Sequence, residues 1–216
     1  MDVTIIGGGN MGRGIGYRMV AGGNSVTVID QAIEASQTLA EELAKVAAAG
    51  ARSSAATMDS VVLGDVVVLA LQYGINKEVV RGLGDRLADR IVIDIANPLN
   101  ASFDGLETET GTSSAEEVAA LVPPSTSVIK AFNTTFARTL VEGTVGGVPL
   151  DVFMAGNDPG AKRKVADLIR AGGLTPIDAG DLARARELEA MGLIHISLQM
   201  IHNLGFGTTL KLIQPN

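Results

Sequence analysis

A glycine-rich turn near the start of the chain has the residue types and spacing to hold a dinucleotide. The stretch TIIGGGNMGRGIG, residues 4–16, places Gly7, Gly9 and Gly12 in the pattern G-x-G-x-x-G, between an apolar run and a helical stretch. The first glycine permits a tight turn, the second lets a diphosphate approach, and the third lets helix and strand pack closely. The N–H groups and positive end of the helix attract the anion. The competing interpretation is that these glycines serve only a tight turn.

A carboxylate at the end of the second apolar run bears on which dinucleotide binds. Asp30 ends the run SVTVID, at about the distance after the glycines that the dinucleotide fingerprint has. It would accept hydrogen bonds from the ribose hydroxyls and repel a 2′-phosphate, which favours NAD over NADP. No Lys or Arg lies in residues 19–44, although Arg13 or Arg52 remains available to reach a phosphate in the fold. The alternative role of Asp30 is the N-cap of the second helix.

Other side chains capable of chemistry are few. His195 and His202 are expected on one face of a late helix, where an interface role is favoured over catalysis, and without cysteine or a carboxylate cluster they predict no metal site. Lys130 lies in a predicted buried strand, either as a functional cation or with its ammonium group reaching water at the strand end. Hydride transfer between two positioned flat rings needs no catalytic side chain, so none is assigned.

These residues must be positioned by a sheet, because strand-length apolar runs alternate with helical stretches along most of the chain. This alternation predicts an α/β fold, a doubly wound, mostly parallel sheet of the Rossmann type with a small C-terminal helical part. The predicted strands are VTIIG, SVTVID, a weak strand in 51–57, DVVVLAL, RIVIDIA, TSVIKAF, PLDVFMAG and LTPIDAG. Ser113 with Glu116 predicts one helix start, and Asp158 with Pro159 another. We expect a dinucleotide-binding domain at 1–180 and a helical segment at 181–216 that packs against it.

Composition narrows the class of protein. A chain of 216 residues with 46% apolar residues suits one globular unit, and a net charge of −7 argues against a nucleic-acid partner. The absence of cysteine excludes disulfides and thiol chemistry and is compatible with a reducing compartment. The first residues do not have the pattern of a targeting segment, and the longest apolar run is too short to span a membrane. We therefore expect a soluble, cytoplasmic protein that binds neither nucleic acid nor membrane.

Four stretches together resemble the deazaflavin-dependent NADP reductase family, whose Rossmann domain is related to the reductase domain of ferric-reductase-type membrane proteins. They are IIGGGNMGRGIG, VIDIANPL, VIKAFNT and ARELEAMGLIHISLQM. The resemblance implies a Rossmann fold with a small C-terminal part, usually a homodimer, that passes a hydride between NADPH and the deazaflavin coenzyme F-420. Its small-molecule partner would therefore be a hydride acceptor.

Carried over position by position, the resemblance implies a cofactor site with four parts. Those parts are the pyrophosphate loop of Gly7, Gly9, Asn10, Met11 and Gly12, the loop after the fourth strand with Leu71, Gln72 and Tyr73, the nicotinamide neighbours Asn97 and Pro98, and the cleft floor of Ala131, Phe132 and Asn133. Two positions depart from the family. Members that use NADP usually carry Ser or Thr followed by Arg where Asp30 and Gln31 stand, and they often have Pro where Gln72 stands.

Three functions remain open from the sequence. The first is an oxidoreductase that passes a hydride from NADH or NADPH to a planar acceptor, a deazaflavin or a flavin. The second is a module that binds or senses the dinucleotide without turnover. The third is a reductase of a small imine or carbonyl, which would require a proton donor, and Tyr73 is the only attractive one.

Overall fold

One large mixed sheet organises the protein, for which a computed structural model describes residues 1–213. The strands over that range are β1 (Asp2–Ile6), β2 (Ser25–Ile29), β3 (Ser53–Ala55), β4 (Val66–Leu69), β5 (Ile91–Asp94), β6 (Ser127–Ala131), β7 (Thr144–Val145), β8 (Val148–Pro149), β9 (Asp151–Gly156) and β10 (Thr175–Gly180). Within the described chain the sheet has the order β10-β9-β6-β5-β4-β1-β2-β3, and β7 pairs with β8 in a separate hairpin. All neighbours are parallel except β6 and β9.

Helices cover both faces of this sheet. They are α1 (Asn10–Ala21), α2 (Ile33–Ala44), α3 (Tyr73–Leu83), α4 (Ser114–Ala119), α5 (Ala137–Glu142), α6 (Pro159–Ala171) and α7 (Ala185–His202), with short 3-10 turns at Gly84–Leu87 and Leu182–Arg184. The predicted fold class, a doubly wound, mostly parallel α/β sheet with a helix near the C-terminus, is confirmed.

The central strands are apolar along nearly their whole length because helices cover both faces of the sheet. Every residue of β4 and β5 is buried. Alternate residues point to opposite faces, so Val66 and Val68 pack in the cluster with α1, α2 and α6, whereas Val67 and Leu69 pack in the cluster with α3 and α4. The two clusters form the core, and the loops at the carboxyl ends of the strands are left free to build a site.

Two predicted helix starts are confirmed. The Ser113 hydroxyl accepts a hydrogen bond from the Glu116 amide at 3.2 Å, as in a capping box. The Glu116 carboxylate differs from that pattern, because it accepts from the Ser113 hydroxyl and not from the Ser113 amide. Asp158 caps α6 by accepting from the Ala161 amide at 2.5 Å, and Pro159 is the first helical residue. Both side chains satisfy amides that have no partner within their helix.

The weak third strand is confirmed as β3, and the structure differs from the sequence prediction in three places. The antiparallel direction of β9, the hairpin of β7 and β8, and helix α5 were not predicted. The helical segment expected after residue 180 consists of the 3-10 turn Leu182–Arg184, α7 and an irregular stretch that follows it. Residues 214–216 of that segment lie outside the described residues. In the part of the chain that the structure describes, no helix combines the length and apolar character needed to cross a membrane.

Candidate functional site

The turn between β1 and α1 requires glycine at two positions for its own geometry. Gly7 has a φ of 105°, and a β-carbon there would overlap the carbonyl oxygen of Ala70. A β-carbon on Gly12 would overlap the carbonyl oxygen of Gly7. The amide of Gly7 donates to the carbonyl oxygen of Ile29 at 2.8 Å, which fixes the turn against β2. These two glycines therefore allow helix and sheet to approach closely.

The fold makes no such demand at Gly9. A β-carbon on Gly9 would meet no atom within 4 Å, and Gly9 is exposed at the N-cap of α1. The first intrahelical bond of α1 runs from the Arg13 amide to the Gly9 carbonyl oxygen at 2.9 Å, so the amides of residues 10–12 precede the helical ladder. A tight turn alone explains Gly7 and Gly12 but leaves Gly9 unexplained. The open space beside these amides has the character of an anion site.

Asp30 lies at the carboxyl end of β2, beside the glycine turn. Its carboxylate accepts hydrogen bonds from the Gly8 amide at 2.7 Å and from the Gln31 amide at 2.8 Å. Helix α2 begins at Ile33 with Ala32 as its N-cap, so the alternative role of Asp30 as that N-cap is wrong. Asp30 instead lines a pocket of about 220 Å³ whose other walls are mostly apolar.

Arg13, which directly follows the glycine turn, is already paired with a carboxylate. Arg13 donates to both carboxylate oxygens of Glu42, and the Tyr17 hydroxyl donates to the same carboxylate at 2.5 Å. The hydrogen bond from Arg13 lowers the pKa of Glu42 to about 2, with Tyr17 as the second cause. The charge of Arg13 is therefore balanced by a carboxylate within the protein. Arg52, the other arginine considered for a 2′-phosphate, is exposed in the segment before β3.

A larger cleft opens at the carboxyl ends of β1, β4, β5 and β6, where the chain reverses its direction of travel across the sheet. It has a volume of about 630 Å³. Crevices at such switch points are where open α/β sheets bind ligands. Its lining residues are Gly9, Asn10, Met11, Ala70, Leu71, Gln72, Ile95, Ala96, Asn97, Phe103, Asn133, Thr135, Phe136, Ile196, Met200 and Phe206.

Seven of the residues named from the sequence line this cleft. They are Gly9, Asn10, Met11, Leu71, Gln72, Asn97 and Asn133. Gly7 and Gly12 lie behind the turn, and Asp30 lies in the neighbouring pocket with Gly7, Gln31 and Leu71. Leu71 borders both cavities, so the two are adjacent.

Four other named residues are placed away from the cleft wall. Ala131 and Phe132 are fully buried, and Pro98 is buried with its carbonyl oxygen accepting from the Glu107 amide at 2.7 Å. The Tyr73 hydroxyl donates to the Glu117 carboxylate at 2.8 Å and accepts from Lys77 at 3.2 Å.

The environment of Tyr73 also bears on its use as a proton donor. Burial raises its pKa, and the hydrogen bond to Glu117 raises it further. Tyr73 does not line the cleft, and its hydroxyl proton is donated to the Glu117 carboxylate outside the cleft.

Two asparagines join the ends of β5 and β6 at the floor of the cleft. Asn133 Nδ2 donates to Asn97 Oδ1 at 2.9 Å and to the Leu188 carbonyl oxygen at 2.7 Å, and Asn97 Nδ2 donates to the Asn133 carbonyl oxygen at 2.7 Å. Gly192 of α7 lies so close that a β-carbon would overlap the Asn97 amide. Asn133 Oδ1 is buried and, within residues 1–213, has no hydrogen-bond partner. The floor therefore offers an unused acceptor.

A buried ionic cluster lies beneath this floor, and the sequence did not predict it. The Lys130 ammonium donates to Asp94 at 2.8 Å, to Glu189 at 2.6 Å and to the Ala96 carbonyl oxygen at 2.5 Å. All three charged side chains have no solvent exposure. Burial raises the pKa of Glu189, and the Lys130 charge opposes that shift. Of the two roles left open for Lys130, reaching water is wrong, because the ammonium is enclosed.

The two histidines occupy different environments. His195 is buried, with Nδ1 3.1 Å from the Thr134 carbonyl oxygen and Nε2 2.9 Å from the Thr208 hydroxyl, and burial lowers its pKa. His202 is the last residue of α7 and is exposed. Across the described residues, no group of three or more His, Cys, Asp or Glu side chains could hold a metal ion.

Comparison with known proteins shows which proteins the chain resembles in sequence and fold. The chain is 32% identical over 191 residues to the metalloreductase STEAP3 of Rattus norvegicus, which covers 88% of this chain and 36% of that protein. The chain thus spans about a third of the length of this curated relative. A solved structure of a proposed F-420-dependent NADP reductase from an Arthrobacter species superposes with a TM-score of 0.78 and 26% identity, covering 98% of this chain and 99% of that one. The solved structure of a hypothetical protein from Sinorhizobium meliloti superposes with a TM-score of 0.74 and 28% identity, and the match covers 85% of this chain and 86% of that one.

The fold, the glycine turn and the cleft define the class: the chain has a Rossmann-type, NAD(P)-binding α/β fold, and the proteins that it resembles are named as reductases. Residues 2–98 match the sequence model of the NADP oxidoreductases that depend on coenzyme F-420. Over these residues the chain matches that family model, and the resemblance found in its sequence is confirmed.

Proposed function

We propose that this protein passes a hydride between a nicotinamide dinucleotide, NADP or NAD, and a planar acceptor, a deazaflavin such as coenzyme F-420 or a flavin. The observation that carries the proposal is the space in front of Gly9, which the turn itself does not require and which continues into the cleft. A diphosphate on the amides of residues 10–12 would leave one end of the dinucleotide toward Asp30 and the other in the cleft.

The residues present fit a dinucleotide at both ends. On one side, Asp30 and the apolar walls of its pocket suit an adenosine, whose ribose hydroxyls would donate to the carboxylate. On the other side, the exposed amide side chains of Asn10 and Gln72 line the cleft and suit the nicotinamide carboxamide, which both donates and accepts hydrogen bonds.

The bound dinucleotide supplies the hydride, and the side chains of this protein supply position. The hydrogen bonds between Asn97 and Asn133 fix the distance between the ends of β5 and β6. The apolar residues of the cleft would exclude water from the reacting rings. Alignment of the reacting atoms alone can provide several kcal/mol, roughly 7–11 at its best. No acid or base in the cleft is needed for this reaction.

Asp30 and Arg13 together support use of NADH as well as NADPH. The carboxylate is placed to repel a 2′-phosphate, and Arg13, which could otherwise attract one, is neutralised by Glu42. The family described above uses NADP, so the choice between the two dinucleotides is a separate proposal from hydride transfer itself.

A substitution at Gly9 tests the proposal. Gly9→Val should fold normally, because nothing lies within 4 Å of the added β-carbon, yet lose dinucleotide binding in calorimetry and hydride transfer to deazaflavin in an absorbance assay. Gly82→Val is the matched control, since Gly82 of α3 is equally open and lies outside the cleft. Native-like dinucleotide affinity in the Gly9 variant would overturn the proposal.

The two other functions are separated by the same assays. A binding or sensing protein would hold the dinucleotide but pass no hydride to a deazaflavin, a flavin or an imine. An imine or carbonyl reductase is less well supported, because the Tyr73 hydroxyl is engaged by Glu117 and Lys77 away from the cleft.

We also propose that the protein forms a homodimer through α7. One side of this helix packs on the protein, while Ile194 and Ile201 on the other side are 61% and 68% exposed. Large apolar surfaces left exposed in this way mark interaction sites. Ile201→Glu should convert a dimer to a monomer in light scattering, and a native protein that is already monomeric would contradict the proposal. The cytoplasmic location expected from the sequence stays a prediction.

A further inference from the structure

We propose that Phe103 and Phe206 are positioning residues that hold the fused ring of the hydride acceptor by stacking. The inference rests on the proposed function and names the chemical class of the second ligand in the same cleft. That class is a flat, uncharged, fused aromatic ring system, which the flavins and deazaflavins share.

The first support is the concentration of aromatic residues at the cleft. Only 3% of the chain is aromatic, with five phenylalanines and no tryptophan. Three of those phenylalanines, Phe103, Phe136 and Phe206, line this one cleft. Phe136 is buried, whereas Phe103 is 49% exposed and Phe206 is 44% exposed. Two rings are thus presented to a cavity that no protein atom fills.

The second support is the backbone that presents these rings. Phe103 has a φ of 58° and Phe206 a φ of 55°, a conformation that bulky side chains rarely adopt. Each residue comes from a different segment of the chain, one from the loop after β5 and the other from the stretch after α7. Strained positions of this kind persist where the surroundings hold them, and they are concentrated at ligand sites.

Local contacts hold both turns in place. The Phe103 amide donates to the Asn100 carbonyl oxygen at 3.0 Å, and Asn100 Oδ1 accepts from the Asp104 amide at 3.1 Å. The Phe206 ring packs edge-on against Phe136 at 5.1 Å between centroids, and Phe136 in turn lies 4.3 Å from the His195 ring. The Phe206 ring and the backbone turn that carries Phe103 are therefore held in place before any ligand arrives.

The chemistry of the cleft selects the ligand class. Its other lining residues are mostly apolar, and its polar side chains carry no charge: they are the amides of Asn10, Gln72, Asn97 and Asn133 and the hydroxyl of Thr135. Aromatic faces gain most from a second flat ring, which covers a large area in offset or edge-on geometry. Beside a nicotinamide ring, a fused ring system would fill more of the space of about 630 Å³ than a small aliphatic imine would.

Riboflavin binding, measured by calorimetry, provides the test, because it reports affinity for the fused ring without a contribution from the dinucleotide. Phe206→Leu and Phe103→Leu should each weaken riboflavin binding by about three- to tenfold, while Phe206→Tyr keeps a ring and should stay close to the native value. All these residues keep a β-carbon, so the backbone strain at positive φ is matched. Coenzyme F-420, titrated by absorbance, distinguishes a deazaflavin from a flavin as the tighter ligand, and either one supports the proposal.

Dinucleotide binding separates this inference from the proposed function. The leucine variants should bind NADH and NADPH in calorimetry as the native protein does, since neither ring belongs to the glycine turn. Native-like riboflavin and F-420 affinities in both leucine variants would overturn the inference, and so would a native protein that binds neither ring. A shift of Phe206→Leu from dimer to monomer with unchanged riboflavin affinity would also overturn it, by assigning the ring to the contact between copies.

Discussion

The Lys130 ammonium lies 2.6 Å from a carboxylate oxygen of Glu189, and neither side chain is exposed to solvent. The pair joins β6, in the middle of the sheet, to α7. Asp94 of β5 completes the cluster, and its other oxygen accepts from Asn76 at 2.8 Å. Because Lys130 also holds the Ala96 carbonyl oxygen, the cluster fixes the segment that carries Asn97 into the cleft.

Removal of the Lys130 charge should destabilise the protein strongly. Lys130→Met leaves two carboxylates buried without their cation, a change that typically costs about 3–5 kcal/mol. Lys162→Met is the matched control, since Lys162 pairs with an Asp178 that is half exposed, and such pairs contribute about 0–1 kcal/mol. Urea unfolding followed by circular dichroism measures both. An equal decrease in the free energy of unfolding of the two variants would show that the buried cluster stabilises the protein no more than an exposed ion pair does.

A methyl group on Gly192 should disturb the floor of the cleft. The added β-carbon overlaps the Asn97 amide, so α7 or Asn97 must move, at a cost of about 1–3 kcal/mol. We expect Gly192→Ala to lower the rate of hydride transfer while the glycine turn still binds the dinucleotide. Gly82→Ala, in open space on α3, should be neutral or more stable by about 0.5–1 kcal/mol. An unchanged rate of hydride transfer in Gly192→Ala would show that the position of Asn97 does not affect the reaction.

The pairing of Arg13 with Glu42 predicts a dependence of stability on pH. The pKa of Glu42 falls from 4.5 to about 2, so its ionised form stabilises the folded protein above pH 4.5 and loses that effect as the pH falls toward 2. Both side chains are partly exposed, so we expect a difference of about 1 kcal/mol between native protein and Glu42→Gln at pH 7. Unfolding measured across this range should show the difference shrinking at low pH. A difference that stays constant from pH 7 to pH 2 would contradict the expectation.

Asp30 should set the preference between the two dinucleotides. Asp30→Asn removes the charge and keeps an oxygen acceptor for the Gly8 amide, so the NADPH affinity should rise relative to the NADH affinity by on the order of tenfold. Asp30→Ser removes the charge as well and should change the preference in the same direction. Calorimetric titration with each dinucleotide measures the ratio. If both variants keep the native ratio, the carboxylate does not face the ribose.

Most of the sheet could be predicted from the sequence because its strands are short apolar runs buried on both faces. Runs such as those of β4 and β5 have no polar residue until their ends. Strand direction has no such signal, so the reversal at β9 could not be read from its apolar residues. The strands β7 and β8, at two residues each, are too short for any period to appear.

The candidate site was predictable where it depends on local backbone and not where it depends on distant partners. The glycine turn is contained in a few consecutive residues, and its geometry follows from the absence of side chains. The Lys130 cluster instead depends on Glu189, 59 residues further along the chain, and nothing in either local pattern indicates the other. Phe103 and Phe206 were missed for the same reason, since a single aromatic residue in a loop carries no periodic signal.

The division of the cleft wall between distant parts of the chain has a consequence for protein engineering. The surface beside the glycine turn comes from the loops after β1, β4, β5 and β6, whereas Ile196, Met200 and Phe206 come from the last stretch of the chain. Under the proposed function, grafting that last stretch from another relative should change the hydride acceptor and leave the dinucleotide site beside the glycine turn unchanged. The graft must retain a carboxylate opposite Lys130 and a glycine opposite Asn97, because these two contacts join α7 to the ends of β5 and β6.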